Sequence, residues 1–149
     1  MTNIYFDFED GNGPVPAHQH PNGGGWVADT AKVDATARVG PDAEVSGNAW
    51  VYGDAEVYGN AWVYGDAEVS GNAEVSGNAQ VYGNATVYGD ARVYDDAQVY
   101  GDAEVYGNAK VYDDARVYGN AWVSGNTRVY GISLADNEIQ DIVEENKDG

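Results

Sequence analysis

Valine returns at every sixth residue from Val27 to Val129 without a gap, eighteen valines in a single register. Two residues before each valine stands alanine, from Ala31 to Ala121, with Gly25 and Thr127 in that place at the two ends. An α-helix repeats its faces every 3.6 residues and a globular sheet sustains no such run, so a fixed short period points to a solenoid whose repeats touch only their neighbours. Alanine and valine two apart share one face of a strand, while the residue between them points outward. The Gly and Asn or Asp that follow break the strand. Each hexad is therefore one short strand and one corner. The first corner position is Gly in most hexads but accepts Asp29, Ala35, Pro41, Asp95 and Asp113. Because proline holds φ near −65°, a negative φ is expected there. The second position is Asn or Asp except at Thr30, Thr36 and Ile132. It is expected to carry the positive φ, as in a type II turn, with irregular corners at those three β-branched residues.

Units such as Val-Tyr-Gly-Asp-Ala-Glu, repeated across residues 26–131, resemble the hexapeptide repeat of the left-handed parallel β-helix proteins. The resemblance implies an all-β fold: a single-stranded, triangular, left-handed parallel β-helix in which three hexads make an 18-residue coil and Val and Ala line the prism. Six coils stacked at roughly 4.8 Å give a rod about 29 Å long. The resemblance also implies association of subunits, often as a homo-trimer. The expected organisation is an N-terminal strand and Gly/Pro-rich loop over 1–25, the β-helix over 26–131, and a capping helix with an acidic tail over 132–149. In the first segment Ile4, Phe6 and Phe8 alternate with polar residues as a strand would, and 11–25 reads as a loop or tether. In the last, Asp136 is an N-cap candidate for a helix from Asn137 to Glu145 that seats Leu134, Ile139 and Ile142 over the final coil.

A period of eighteen lets the outward surface be written column by column. The residues between Ala and Val form one column on each face: Trp26, Glu44, Trp62, Gln80, Gln98 and Arg116 on the first; Lys32, Trp50, Glu68, Thr86, Glu104 and Trp122 on the second; Arg38, Glu56, Glu74, Arg92, Lys110 and Arg128 on the third. The C-terminal half of the third face is locally basic. Tyrosine often follows valine, so that Tyr64, Tyr82, Tyr100 and Tyr118 stack along one edge, Tyr94, Tyr112 and Tyr130 along another, and Tyr52, Tyr88 and Tyr106 share the third. Rings repeated at the interstrand spacing are expected to stack as ladders. Tyr and Trp beside acidic groups also suit a rigid recognition surface, with Trp26, Trp50, Trp62 and Trp122 as anchors and Glu44, Glu56, Glu68, Glu74 and Glu104 as its charge. Trp50 and Trp122 stand too far apart along the axis to form one patch.

The formal net charge is −18. Of this, sixteen acidic and six basic residues over 26–131 leave about −10 on the prism, a dilute polyanion that repels nucleic acid and acidic membranes and attracts basic proteins. The expected partner is a protein with a basic surface, with no direct contact to nucleic acid or membrane. Cysteine is absent, which excludes disulfide frameworks and thiolate metal sites. The start MTNIYFDFEDG has no signal-peptide character, so the expected location is the cytoplasm of the producing or infected cell. No cofactor is expected apart from a Ca²⁺ ion at Asp95, Asp96, Asp113 and Asp114, four carboxylates placed by the period at one corner of adjacent coils. His18 and His20 are a second candidate metal pair, against the alternative that they order a loop.

Acyl-transferring relatives use a histidine on the helix and a loop extruded from a coil, whereas these eighteen hexads run without insertion and both histidines precede them. The carbonic anhydrase branch needs three histidines, and only two are present. No nucleophile, base and orienter come together. The expectation is a non-catalytic acidic rod that binds protein, such as a phage-encoded inhibitor or nucleic-acid decoy directed at a host defence or DNA-processing protein. The alternatives are a structural, virion or surface building block and, third, an acyltransferase-like enzyme.

Overall fold

The computed structural model describes residues 4–135 and 138–139 of the chain. Each hexad folds as a strand of two or three residues, as in β3 (Trp26–Ala28), β4 (Lys32–Val33) and β5 (Arg38–Val39), which follow the N-terminal strands β1 (Tyr5–Asp7) and β2 (Pro14–Gln19). The fifteen hexad strands from Trp26 to Lys110 each pair in parallel with the one eighteen residues on, from Trp26↔Glu44, Lys32↔Trp50 and Arg38↔Glu56 to Lys110↔Arg128, and the offset shortens to seventeen and sixteen at Arg116↔Ser133 and Trp122↔Glu138. Three parallel sheets result, one for each side of a triangle. Corners are tied between coils as strands are: Lys32 N–H donates to Ala49 O at 2.9 Å and Asn48 N–H to Gly65 O at 2.8 Å.

The lining is aliphatic throughout. Val27 and all valines from Val39 to Val129 are fully buried, with only Val33 partly open, and every alanine in the repeat position from Ala31 to Ala121 is buried. Thr127 takes the alanine place at the last corner, where its Oγ1 donates to Ser124 O at 2.6 Å, so its hydroxyl is buried with a partner.

The corners differ from the expected pattern. Positive φ falls on the first corner residue, as at Gly47 (63°), Gly101 (67°) and Gly125 (67°), and on Asp95 (58°) and Asp113 (55°) in the same position. The Asn or Asp that follows has no positive φ. The corners at Asp29–Thr30, Ala35–Thr36 and Pro41–Asp42 contain no left-handed residue at all. Thr30 and Thr36 thus lie in irregular corners as expected, their hydroxyls donating to Gly47 O and Gly53 O of the next coil, whereas the Ile132 corner is regular, with Gly131 left-handed at 65°, and Pro41–Asp42 is irregular instead.

The N-terminal segment is more ordered than a tether. β1 pairs antiparallel with β2, and β2 pairs antiparallel with β3, so the loop expected over 11–25 contains the six-residue strand that closes the edge of the first face. Residues 22–25 close the third face: Val39 N–H donates to Asn22 O and Gly25 N–H to Val39 O, each at 3.0 Å. A Cβ on Gly25 would lie 2.2 Å from Gly40 O, which explains a glycine where the chain crosses the prism end. Covered edges of this kind prevent rods from joining end to end.

At the other end Ser133–Ala135 pairs with Arg116–Tyr118, placing the buried Leu134 in line with Val117 as a continuation of the core and not as part of a cap. Glu138–Ile139 is a strand paired with Trp122–Val123, where the expected helix should have begun. The backbone there continues the solenoid pairing, which satisfies its polar groups against the coil below. The rest of that expected helix, with Ile142, lies outside the described residues.

Candidate binding surfaces

Period-two alternation directs the residue before each valine and the residue after it to the same outer face, so each face carries two columns. The aromatic ladders form as the register requires. Tyr64, Tyr82, Tyr100 and Tyr118 stack at 4.8, 4.9 and 5.1 Å between centroids, Tyr94, Tyr112 and Tyr130 at 5.0 Å each, and Tyr88 on Tyr106 at 4.8 Å. Ser70 interrupts the third ladder between Tyr52 and Tyr88. A contact not anticipated from the columns joins position i to i+16: the hydroxyls of Tyr58, Tyr64, Tyr82 and Tyr88 donate to Glu74, Gln80, Gln98 and Glu104 at 2.8–3.3 Å. Asn–Asp and Asn–Asn ladders run along the corners, as from Asn60 through Asn78 to Asp96 at 3.3 and 3.1 Å. Both contacts follow from the period, because i+16 is the preceding column one coil up and i+18 is the same corner.

Burial raises the tyrosine pKa values. Tyr64 is pushed up to about 12, chiefly by burial and then by the Tyr82 hydroxyl, and Tyr58, Tyr82, Tyr88 and Tyr94 are raised with burial as the first cause. A phenol that ionises later in the folded state stabilises the fold fully below the ordinary value of 10.0 and loses that contribution as pH climbs through the raised value. Stability should therefore fall between about pH 10 and 12. Tyrosinate absorbance titrated alongside circular dichroism checks this, and complete ionisation by pH 10.5 with the fold intact would contradict it.

The four tryptophans separate into two classes. Trp26 is sandwiched by the N-terminal segment, with Phe6 stacked on it at 4.7 Å and 15° and Phe8 edge-on to Phe6 at 4.7 Å. Trp62 packs against that same cluster, tilts over Tyr64 at 4.3 Å and donates Nε1–H to Ser46 Oγ at 3.1 Å. Both are partly buried and engaged in contacts within the molecule. Phe8 lies beside Glu44, whose carboxyl is raised by burial and then by the Glu9 charge. Trp50 and Trp122 are more open, 41% and 42% exposed on the second face with Glu68 and Glu104 in the column between them, although Trp50 tilts over Tyr52 at 4.4 Å as Trp62 does over Tyr64. Lys32 Nζ sits 5.8 Å from the Trp50 ring centroid. On the third face, Glu56 and Glu74 are followed by the cations of Arg92, Lys110 and Arg128, with Arg92 Nε 3.9 Å from Glu74 Oε2.

Asp95, Asp96, Asp113 and Asp114 do share one corner and line an open concavity of about 650 Å³ with Gly77, Asn78 and Gly131. They hydrogen-bond locally: Asp95 Oδ2 accepts from Asp113 N–H at 3.3 Å, and Asp96 Oδ1 accepts from Asn78 Nδ2 at 3.1 Å. Among the described residues no three His, Asp or Glu side chains are grouped so as to hold a metal ion. His18 Nδ1 meets Asp29 Oδ1 at 2.7 Å, while the buried His20 holds Ala37 O through Nε2 at 2.8 Å. The two histidines thus tie the N-terminal segment to the first coil, His18 through the Asp29 side chain and His20 through the Ala37 carbonyl.

These observations define a parallel β-solenoid repeat protein. A family model described as the YdcK beta solenoid repeat matches residues 79–95, 87–101, 109–125 and 115–131, less than half of the chain, each stretch about one coil long. No curated protein and no solved structure matches the chain.

Proposed function

We propose that this chain is a non-catalytic recognition rod whose second face binds a protein with a basic surface. The observation that carries the reading is the pair of exposed tryptophans, Trp50 and Trp122, bracketing Glu68 and Glu104 on one face of a chain with net charge −18. Four coils separate the two rings, roughly 19 Å, so they act as two anchors of one interface and not as a single patch. Exposed Trp is the side chain most often found carrying binding energy, and the acidic rows steer a basic partner toward it. A regular row of carboxylates also imitates the charge of a nucleic acid more weakly than duplex DNA, which suits an inhibitor or decoy, such as a phage would encode, against a host defence or DNA-processing protein.

The test is competition with duplex DNA for a basic DNA-binding protein at low salt. The rod should displace the DNA, with affinity falling as salt rises. Trp50→Ala and Trp122→Ala should each weaken binding by about tenfold or more. Failure to displace DNA at low salt would refute the decoy, and sedimentation of the chain alone into large regular assemblies would favour a building block instead.

A further inference from the structure

The third face is complementary to itself, and we infer that two copies of this chain dock through it with their axes antiparallel. A two-fold axis lying between two such faces and running along the strands reverses the order of the coils and keeps each column opposite itself. The column Arg38, Glu56, Glu74, Arg92, Lys110, Arg128 then meets its own reverse. Glu74 falls opposite Arg92 of the second copy and Glu56 opposite Lys110, each twice. Only Arg38 against Arg128, at the two ends, is unfavourable.

The neighbouring column agrees by size. Gly40, Tyr58, Ser76, Tyr94, Tyr112 and Tyr130 follow the valines of this face. Reversal sets Gly40 against Tyr130 and Ser76 against Tyr94, small against large, with Tyr58 against Tyr112. The corner acids interleave as well, since Asp90 meets Asn72 and Asp54 meets Asn108 on one edge, and Asp96 meets Asn78 and Asp114 meets Asn60 on the other. No Asp of these rows faces another Asp. The face is also nearly flat: Tyr94 and Tyr112 are 5° from parallel and Tyr112 and Tyr130 17°, so successive coils are little rotated, and flat sheets can pack at about 10 Å along their length.

Neither other face offers this. Reversal of the second pairs Lys32 with Trp122, Trp50 with Glu104 and Glu68 with Thr86, without one opposite-charge pair, and the first is crossed by Phe6 and Phe8 over Trp26 and Trp62. The area is modest. About 29 Å by 13 Å, near 400 Å² from each copy, lies well below the roughly 800 Å² of a standard interface, so the dimer is weak and forms at high chain concentration. It leaves Trp50 and Trp122 uncovered, and so stands or falls apart from the binding reading above.

Sedimentation of the full chain at rising concentration should show a monomer–dimer equilibrium. Glu56→Lys should weaken it by at least about tenfold, although the change lowers the overall negative charge and so the general repulsion. Lys110→Glu should weaken it too, without loss of fold, because the new carboxylate lies between Arg92 and Arg128. Glu56 and Lys110 are three coils apart in one chain, beyond direct contact, so rescue between them reports the second copy. The double variant E56K/K110E should dimerise like the wild type, and an equimolar mixture of the two single variants should form heterodimers. A wild-type chain that stays monomeric, a trimer, undiminished association of E56K, or a mixture that fails to pair would overturn the inference. Rescue of E56K by Arg128→Glu in place of K110E would overturn the register.

Discussion

Val87→Asp unfolds the middle of the rod. Val87 is fully buried and pairs with Val69 below and Val105 above, both also fully buried. The prism holds only isopropyl and methyl groups at that level, so a carboxylate there has neither water nor a donor. The expected loss exceeds about 4 kcal/mol, a large part of the 5–15 kcal/mol that holds an ordinary domain folded. Because each coil rests only on its neighbours, the damage should divide the rod into two shorter blocks and broaden the transition. Thermal unfolding by circular dichroism reads the loss, and hydrogen exchange locates it. The same change at Val33, which is partly open in the first coil, should cause fraying without global unfolding. A melting temperature for Val87→Asp within a few degrees of wild type would mean that the interior is not the dry column described above.

Gly101→Ala should be nearly as informative through the backbone alone. Gly101 has φ of 67°, and a Cβ built on it would lie 2.8 Å from the amide nitrogen of Gly119 in the coil above. The left-handed conformation costs an L-residue about 1–2 kcal/mol, and relieving the close approach adds to that. A total of about 2–3 kcal/mol would lower the melting temperature by roughly 4–12 °C. Gly101→Asp should cost less than Gly101→Ala, since Asp95 and Asp113 already occupy such corners at φ of 58° and 55° and Asp95 accepts the N–H of Asp113. Asp102→Ala, at the following position, removes one exposed side-chain bond from Asn84 at 3.2 Å and should change stability by less than about 0.5 kcal/mol. The reverse ranking, with residue 102 the sensitive one, would restore the corner first inferred from turn preferences.

That corner shows where the sequence stopped being legible. Pro41 was a sound reason to expect a negative φ, but its corner belongs to the three N-terminal ones without a left-handed residue. The regular corners are glycine because of what lies one coil above, a constraint that no isolated hexad displays. The N-terminal strands were half legible: the alternation of Ile4, Phe6 and Phe8 marks β1, whereas β2 runs through Pro14 and Pro16, which argue against a strand. Although β2 lies between β1 and β3, its pairing tolerates them: Ala17 N–H supplies the bond to Ile4 O, and Pro16 needs only its carbonyl, which accepts Asp29 N–H at 2.9 Å. The partial covering of Trp26 and Trp62 has a related reason. Their columns were placed correctly, but the segment that covers them has no repeat from which its path could be read.

The period of six by itself determined the valine and alanine lining and which residues point outward, because strand alternation leaves no freedom in that choice, while the eighteen-residue register and the tyrosine ladders followed from it only with the three hexads per coil that the resemblance to hexapeptide-repeat β-helices implies. Tertiary structure alone decided which outward residues remain open to a partner, which corner residue turns left-handed and how the ends are closed. Those depend on contacts between segments of unequal sequence, where no periodicity relates one position to another.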